Sequence, residues 1–296
     1  MIKRTLYFGN PAYLKTATEQ LVVERPGEES KSIPIEDIGL VVLDHQQITI
    51  TQALLAKLLS NNVALITCNE THHPVGLLLT LDGHTLQSQK YQAQVDASLP
   101  LKKQLWQHTV EQKIANQAAV LKMHRQETNY MDTLARTVKS GDPDNNEAKA
   151  AAWYWKRLFP DFLNFTRERE GMPPNNLLNY GYAILRAIVA RNLVGSGLMP
   201  TLGIHHRNQY NAYCLADDIM EPYRPYVDTI VHQIVRGNGK YLDMTPNMKT
   251  ALLNIPAIDV TIDGQKSPLM NAVARTTASL CKCYEGEARK ILYPVL

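Results

Sequence analysis

Through the first 84 residues the apolar positions come as short runs: TLYFGN, EQLVVER, KSIPIED, IGLVVLD, VALITCN and PVGLLLTLD, rich in Val, Ile, Leu and Thr. Turn residues part them, notably Gly9-Asn10-Pro11, Pro26-Gly27 and Asp82-Gly83. Runs of this length and make-up, punctuated this way, predict β-strands. One segment breaks the pattern. In ITQALLAKLLSNN, residues Leu54, Leu55, Leu58 and Leu59 recur at helical spacing and Asn61-Asn62 supplies a stop, which predicts one helix packed on the strands. From residue 96 the period lengthens. LKKQLWQHTVEQKIANQAAVLKMH, MDTLARTVKS, NEAKAAAWYWKRLF, NLLNYGYAILRAIVARNLV and LADDIMEPYRPYVDTIVHQIVRG read as helices, parted by GDPDNN and GMPPNN. The polar stretch HTLQSQKYQAQ between the two regimes lacks β-branched runs. The expected architecture is therefore α+β: a β-rich N-terminal domain over 1–84, a linker over 85–95 and an all-α C-terminal domain over 96–296. The tail CKCYEGEARKILYPVL is expected to be one more packed or DNA-proximal helix.

Length and composition then exclude several classes. A chain of 296 residues with 45% hydrophobic and 20% charged residues is ordinary for a globular protein and too apolar for wholesale disorder. It needs no disulfide or metal staple to fold. Its four cysteines form no C-x-x-C knuckle, which argues against structural zinc and fits a reducing compartment. The start, MIKRTLYFGN, lacks the apolar core of a secretory signal. The most apolar long stretch carries Asn179, Arg186 and Arg191, costly in lipid, so it is expected to be a buried helix and the protein soluble and cytoplasmic. The net charge of +3 is too small to name a partner, but residues 1–100 sum to −3 and residues 101–296 to +6. Any anionic ligand is expected at the second part. No Walker-type phosphate loop, G-x-G-x-x-G or G-x-S-x-G motif occurs, which removes the usual marks of nucleotide hydrolysis, dinucleotide binding and serine hydrolysis.

Three segments of the helical part concentrate groups able to bind a metal. In GDPDNNEAKAAAWYW, Asn145 or Asn146 is expected to cap a helix, which places Glu147 in its first turn. In LGIHHRNQYNAYC, the adjacent His205 and His206 stand beside Arg207 in a loop. In LADDIMEPYRP, Asp218 and Glu221 are three apart and share a helical face, with Arg224 three further on, while Asp217 faces elsewhere. A helix-start charge, a structural histidine pair and a surface acidic pair with an arginine counter-ion explain each segment taken singly. Taken together, carboxylates plus one imidazole suit Mg²⁺ or Mn²⁺ better than Zn²⁺.

The whole arrangement resembles a known family. A β-rich start, then NNEAKAAAWYW, LLNYGYAIL and LGIHHRNQYNAYCLADDIMEPYRP in that order, is similar to the CRISPR-associated integrase, the subunit that inserts new spacers into CRISPR arrays, and closest to its type II branch. The resemblance implies a metal held by Glu147, His206 and Glu221. His205 is then a neighbour, and Asp218 a ligand or a support for one. It implies phosphate contacts from Arg207 and Arg224, and from lysines such as Lys102, Lys103, Lys113 and Lys122, each of which also reads as the solvated face of a long helix. It implies Mg²⁺ or Mn²⁺, double-stranded DNA (a prespacer and the CRISPR repeat), a homodimer formed through the β-rich domain, and a heterohexamer with a small ferredoxin-like second adaptation protein. An effector nuclease and an accessory adaptation protein are further partners to expect, in a prokaryotic cytoplasm and with no membrane. The implied reaction is transesterification by the prespacer 3′-hydroxyl. A structure-specific nuclease using water at the same site, and a non-catalytic DNA-binding scaffold, are the alternatives.

Overall fold

Strand β5 (Ile38–Leu43) shows how the chain is put together. Its sequence IGLVVL is buried almost without a break, as suits a parallel strand covered on both faces. Ile38 and Val41 point one way and Leu40 and Val42 the other. A computed structural model describes residues 3–162, 165–168, 170–237 and 242–296. In it β1 (Arg4–Phe8) and β7 (Ala64–Cys68) lie parallel on either side of β5, and β8 (Pro74–Leu78) completes the sheet in the order β1-β5-β7-β8. A second four-stranded sheet is built from β2 (Ala12–Ala17), β3 (Gln20–Glu24), β4 (Lys31–Pro34) and β6 (Ile48–Ile50), in the order β4-β3-β2-β6. Between the sheets, Leu14, Leu21, Val41 and Leu65 pack with Leu54 and Leu58 of α1 (Gln52–Ser60), the leucine face expected from spacing. Thr51 caps that helix by accepting from the Leu54 amide at 3.3 Å. Strands β2 and β6 went unanticipated: AYLKTA and ITI are short and half polar, and only their pairing defines them.

The other face of the first sheet, Leu40, Val42, Ala64 and Ile66, belongs to the core of the helical part. That part comprises α2 (Gln87–Asp96), α3 (Leu99–Met123), α4 (Asn129–Thr137), α5 (Asn146–Leu158), α6 (Asn175–Gly195), α7 (Cys214–Met220), α8 (Arg224–Gly237), α9 (Pro246–Leu253) and α10 (Leu269–Tyr284). Helix α6 is buried nearly all round, which explains its lack of a polar face. Most of the stretch expected as a linker, 85–95, is instead taken up by α2. Its polar composition hid one buried anchor: Gln94 donates to the carbonyls of Met199 (3.0 Å) and Leu202 (3.2 Å) and accepts from the Met199 amide at 2.9 Å.

The β-rich to helical order holds, with one addition. The helical part carries a three-stranded antiparallel sheet, β10 (Gln265–Pro268), β9 (Asp259–Ile262) and β11 (Pro294–Val295). The tail expected to be helical stops being so at Tyr284 and returns as β11 on β9. Asn116 of α3 fixes that return, donating to the Pro294 carbonyl at 3.1 Å and accepting from the Leu296 amide at 3.2 Å.

A buried polar knot joins strands to helices. The side chain of Asp44, at the end of β5, has no exposed surface and faces Tyr7 Oη (2.5 Å), His72 Nδ1 (2.9 Å) and Lys249 Nζ of α9 (2.8 Å). Among the described residues no helix is long and apolar enough to cross a membrane.

Candidate active site

Helix α3 is the floor of the site. Its buried stripe runs Leu105, Trp106, Val110, Lys113, Ile114 and Gln117, so a lysine sits where spacing calls for an apolar residue. The Lys113 ammonium lies 2.6 Å from Glu147 Oε1 and 2.6 Å from Glu221 Oε2. The two carboxylate oxygens are therefore within twice that distance of each other, although 74 positions separate the residues. Burial alone would lower the Lys113 pKa, but Glu221 and Glu147 outweigh it and hold the group charged, above its ordinary value.

Each glutamate is placed by local structure. Glu147 opens α5, as expected, but neither asparagine caps that helix. Asn145 takes a left-handed backbone (φ 54°) and makes no side-chain cap, while Asn146 is buried and donates to the Leu134 carbonyl. Asp142 caps instead: its two carboxylate oxygens accept the amides of Asn146 and Glu147, each at 2.9 Å. The turn through GDPDNN brings that carboxylate back onto the helix end. Glu221 begins a single 3₁₀ turn, Glu221–Tyr223, between α7 and α8, and its side chain is 5% exposed. Arg224 pairs with its other oxygen at 3.1 Å. Burial would raise the Glu221 pKa; Arg224, Lys113 and His206 together hold it below the usual carboxylate range.

His206 approaches from the loop between α6 and α7. Its Nδ1 is bonded to Asp218 Oδ1, a contact that raises the pKa of the imidazole. Asp218, with no exposed side-chain surface, also accepts the amides of His205 (2.9 Å) and His206 (3.4 Å). Glycine is required at 203, where a Cβ would stand 2.3 Å from the His206 carbonyl and 2.8 Å from Asp218 Oδ2. Asp218 thus supports the histidine and leaves Nε2 as the nitrogen available to a ligand. His205 turns away. It stacks flat on Trp106 (centroids 4.2 Å, planes 5° apart), while His206 meets the same indole edge-on at 5.5 Å. Burial and the neighbouring His206 lower the His205 pKa.

The remaining candidates divide. Asp217 is taken up by Arg186 and Asn211, each at 2.7 Å. Arg207 is exposed on the histidine loop, Lys103 and Lys122 are exposed on α3, and Lys102 is half-buried. Lys113, expected to contact phosphate or else to lie on a solvated face, is instead buried between the two glutamates because that face of α3 packs inward. Trp106, against which both histidines pack, belongs to none of the three metal-capable segments, although a tryptophan seven positions before a lysine on one apolar stripe is a visible signal.

The donor set suits a hard divalent cation. It offers two carboxylates and one oriented imidazole, and a cationic nitrogen already sits between the carboxylates. Glu221 Oε2 is buried and makes no directed hydrogen bond, only the close approach to that ammonium. As placed, no three His, Cys, Asp or Glu side chains among the described residues enclose a metal-sized site. The glutamates are together, and His206 stands at their edge.

Residues 6–261 match the family model described as CRISPR associated protein Cas1. The chain belongs to the Cas1 family. A CRISPR-associated endonuclease Cas1 from Neisseria meningitidis serogroup C (strain 8013) is 38% identical over 282 residues, 94% of this chain and 91% of the relative. Among solved structures, a casposase bound to an integration product superposes with a TM-score of 0.79 at 19% identity, covering 98% of this chain and 92% of that one. A chain of a Cas6-RT-Cas1–Cas2 complex superposes with a TM-score of 0.75 at 19% identity, covering 97% of this chain and 35% of that one. Glu147, His206 and Glu221 all fall within the segment that matches the Cas1 model.

Proposed function

We propose that the chain is a divalent-metal-dependent DNA integrase of CRISPR adaptation, joining the 3′-hydroxyl of a short duplex to a phosphodiester at a repeat boundary. The convergence of Glu147 and Glu221 on one cation, with His206 oriented beside them by Asp218, carries this reading. Membership of the Cas1 family and the likeness to a casposase bound to an integration product support it.

In this reading Glu147, Glu221 and His206 Nε2 hold Mg²⁺ or Mn²⁺. When bound, such an ion polarises a non-bridging phosphate oxygen and favours charge build-up at phosphorus. Asp218 keeps the proton on Nδ1, so Nε2 presents its lone pair. Arg224 offsets the charge of Glu221 and keeps that carboxylate ionised. Arg207, exposed beside His206, contacts the flanking phosphate, and Lys102, Lys103 and Lys122 bind the duplex backbone further along α3. The 3′-oxygen forms one P–O bond as the repeat strand's own 3′-oxygen leaves, taking up a proton. One phosphodiester replaces another, so the reaction needs no nucleotide fuel. The protein must supply in-line alignment and charge stabilisation. The same reading assigns a homodimer, a small second adaptation protein in a heterohexamer, and optional help from an effector nuclease and an accessory protein.

The test is an integration assay. The protein and its small partner are incubated with a 3′-hydroxyl duplex and a supercoiled plasmid carrying the repeat, with Mg²⁺ or Mn²⁺. Joined products that disappear with Glu147→Ala and His206→Ala bear the proposal out. Cut but unjoined DNA would favour the hydrolytic alternative, to which the relative's name of endonuclease also points. Activity indifferent to metal and to both substitutions would refute the site.

A further inference from the structure

Lys113 is hard to explain as packing. A lysine on the buried stripe of α3 has its charge taken out of water, a cost that only close partners offset. Its partners are the two glutamates assigned above to the metal, and both lie 2.6 Å from its nitrogen. The same side chain also lines a cavity of about 370 Å³, shared with Trp155, Arg167, Tyr182, Arg224 and Asp228 but with neither glutamate. The lysine therefore has both a reason to hold its place and room to leave it.

We propose that Lys113 is a positioning residue of the metal site. Its ammonium holds Glu147 and Glu221 at the spacing a divalent cation needs and yields its place to the ion, swinging into the adjoining cavity. The inference rests on the metal reading above. It gives the metal-free protein an internal stand-in, so the carboxylates stay converged and do not splay under their mutual repulsion. The consequence is competition. Metal binding must displace a charge-assisted contact, and the apparent affinity is reduced by the share of molecules in which the lysine occupies the site.

Mn²⁺ binding to the full chain, followed through the electron paramagnetic resonance signal of the free ion, tests this without recourse to activity. Lys113→Met should tighten the dissociation constant roughly tenfold or more. Arg224→Gln removes an equal charge from Glu221 without touching Glu147, and should change it far less. Mn²⁺ bound no more tightly by Lys113→Met than by wild type, whether equally or more weakly, or equal tightening by Arg224→Gln, would overturn the competition. Glu147→Gln separates the two readings. If it binds Mn²⁺ as wild type does, both fall; if Glu147 is needed but Lys113→Met changes nothing, only this one falls. A measurement on wild type guards against a variant that fails to fold. Reductive methylation read by peptide mass spectrometry should label Lys113 faster in Mn²⁺ than in EDTA, and an unchanged rate would refute displacement.

Discussion

Replacing Lys249 with methionine should unfasten the helical part from the strands. The substitution keeps the length of the side chain and removes its charge, leaving the fully buried Asp44 carboxylate with Tyr7 and His72 as its partners. Breaking a buried pair from one side costs about 3–5 kcal/mol, against a total stability of about 5–15 kcal/mol. In a chain of this size the loss corresponds to a fall in melting temperature of roughly 6–10 °C. The sign of the pH dependence adds a second check. Burial acts to raise the Asp44 pKa, but bonds from Lys249, Tyr7 and His72 outweigh it and hold the group below its ordinary value. In wild type its contribution is full above the unfolded pKa, near 4, and is lost as pH falls through the depressed folded value. Without the ammonium, burial dominates and Asp44 binds a proton more readily. The penalty of Lys249→Met should therefore be larger at pH 7.5 than at pH 5. Urea melts at both pH values, with the Asp44→Asn/Lys249→Met double variant recovering much of the loss, would bear this out. A cost below about 1 kcal/mol, the scale of an exposed pair, would refute the reasoning, as would a double variant no better than the single.

Three further outcomes are expected. Asp218→Asn should weaken Mn²⁺ binding and integration together by roughly 10–100-fold, because His206 loses the carboxylate that sets its tautomer; equal binding would show that the ring orients itself. His232 lies against His124 (ring centroids 3.9 Å, planes tilted by 45°) and near Arg236, and is pushed down to about 4 by burial, His124 and Arg236. Its neutral form favours the fold above an unfolded pKa near 6.5, and that stability is lost as pH falls toward 4; His232→Phe should flatten melting temperature against pH from 7 to 5, and an unchanged slope would count against it. Trp106→Ala should cost about 3–5 kcal/mol by emptying the floor beneath the histidine loop. Trp106→Phe should restore most of the stability but not the flat stack on His205, as Mn²⁺ affinity normalised to folded protein would show.

Elements with a strong period are legible in the amino-acid sequence itself. The α1 leucines and the apolar length of α6 mark their helices directly, and Glu147, His206 and Glu221 stand within the motifs that carry the family resemblance. What escapes depends on partners far away in the chain. Strands β2 and β6 exist through pairing, and α2 is held by Gln94, whose contacts lie about a hundred positions on, and by the Lys90–Glu285 pair with the end of α10, further still. Lys113 is the instructive case. A charged residue on a long helix reads as solvated, and only the packing of α3 against α5 and the 3₁₀ turn shows it inside. Asp142 escapes for the same reason, since a cap supplied from the preceding loop leaves no fixed spacing to recognise.

The central sheet has two apolar faces, one covered by its companion sheet and one shared with the helices. A recombination cut placed where strands give way to helices would strip Leu40, Val42, Ala64 and Ile66 of their cover. Such a fragment would present a sticky apolar wall in place of a portable module. Chimeras between relatives should therefore exchange the β-rich part together with its helical lining, or neither.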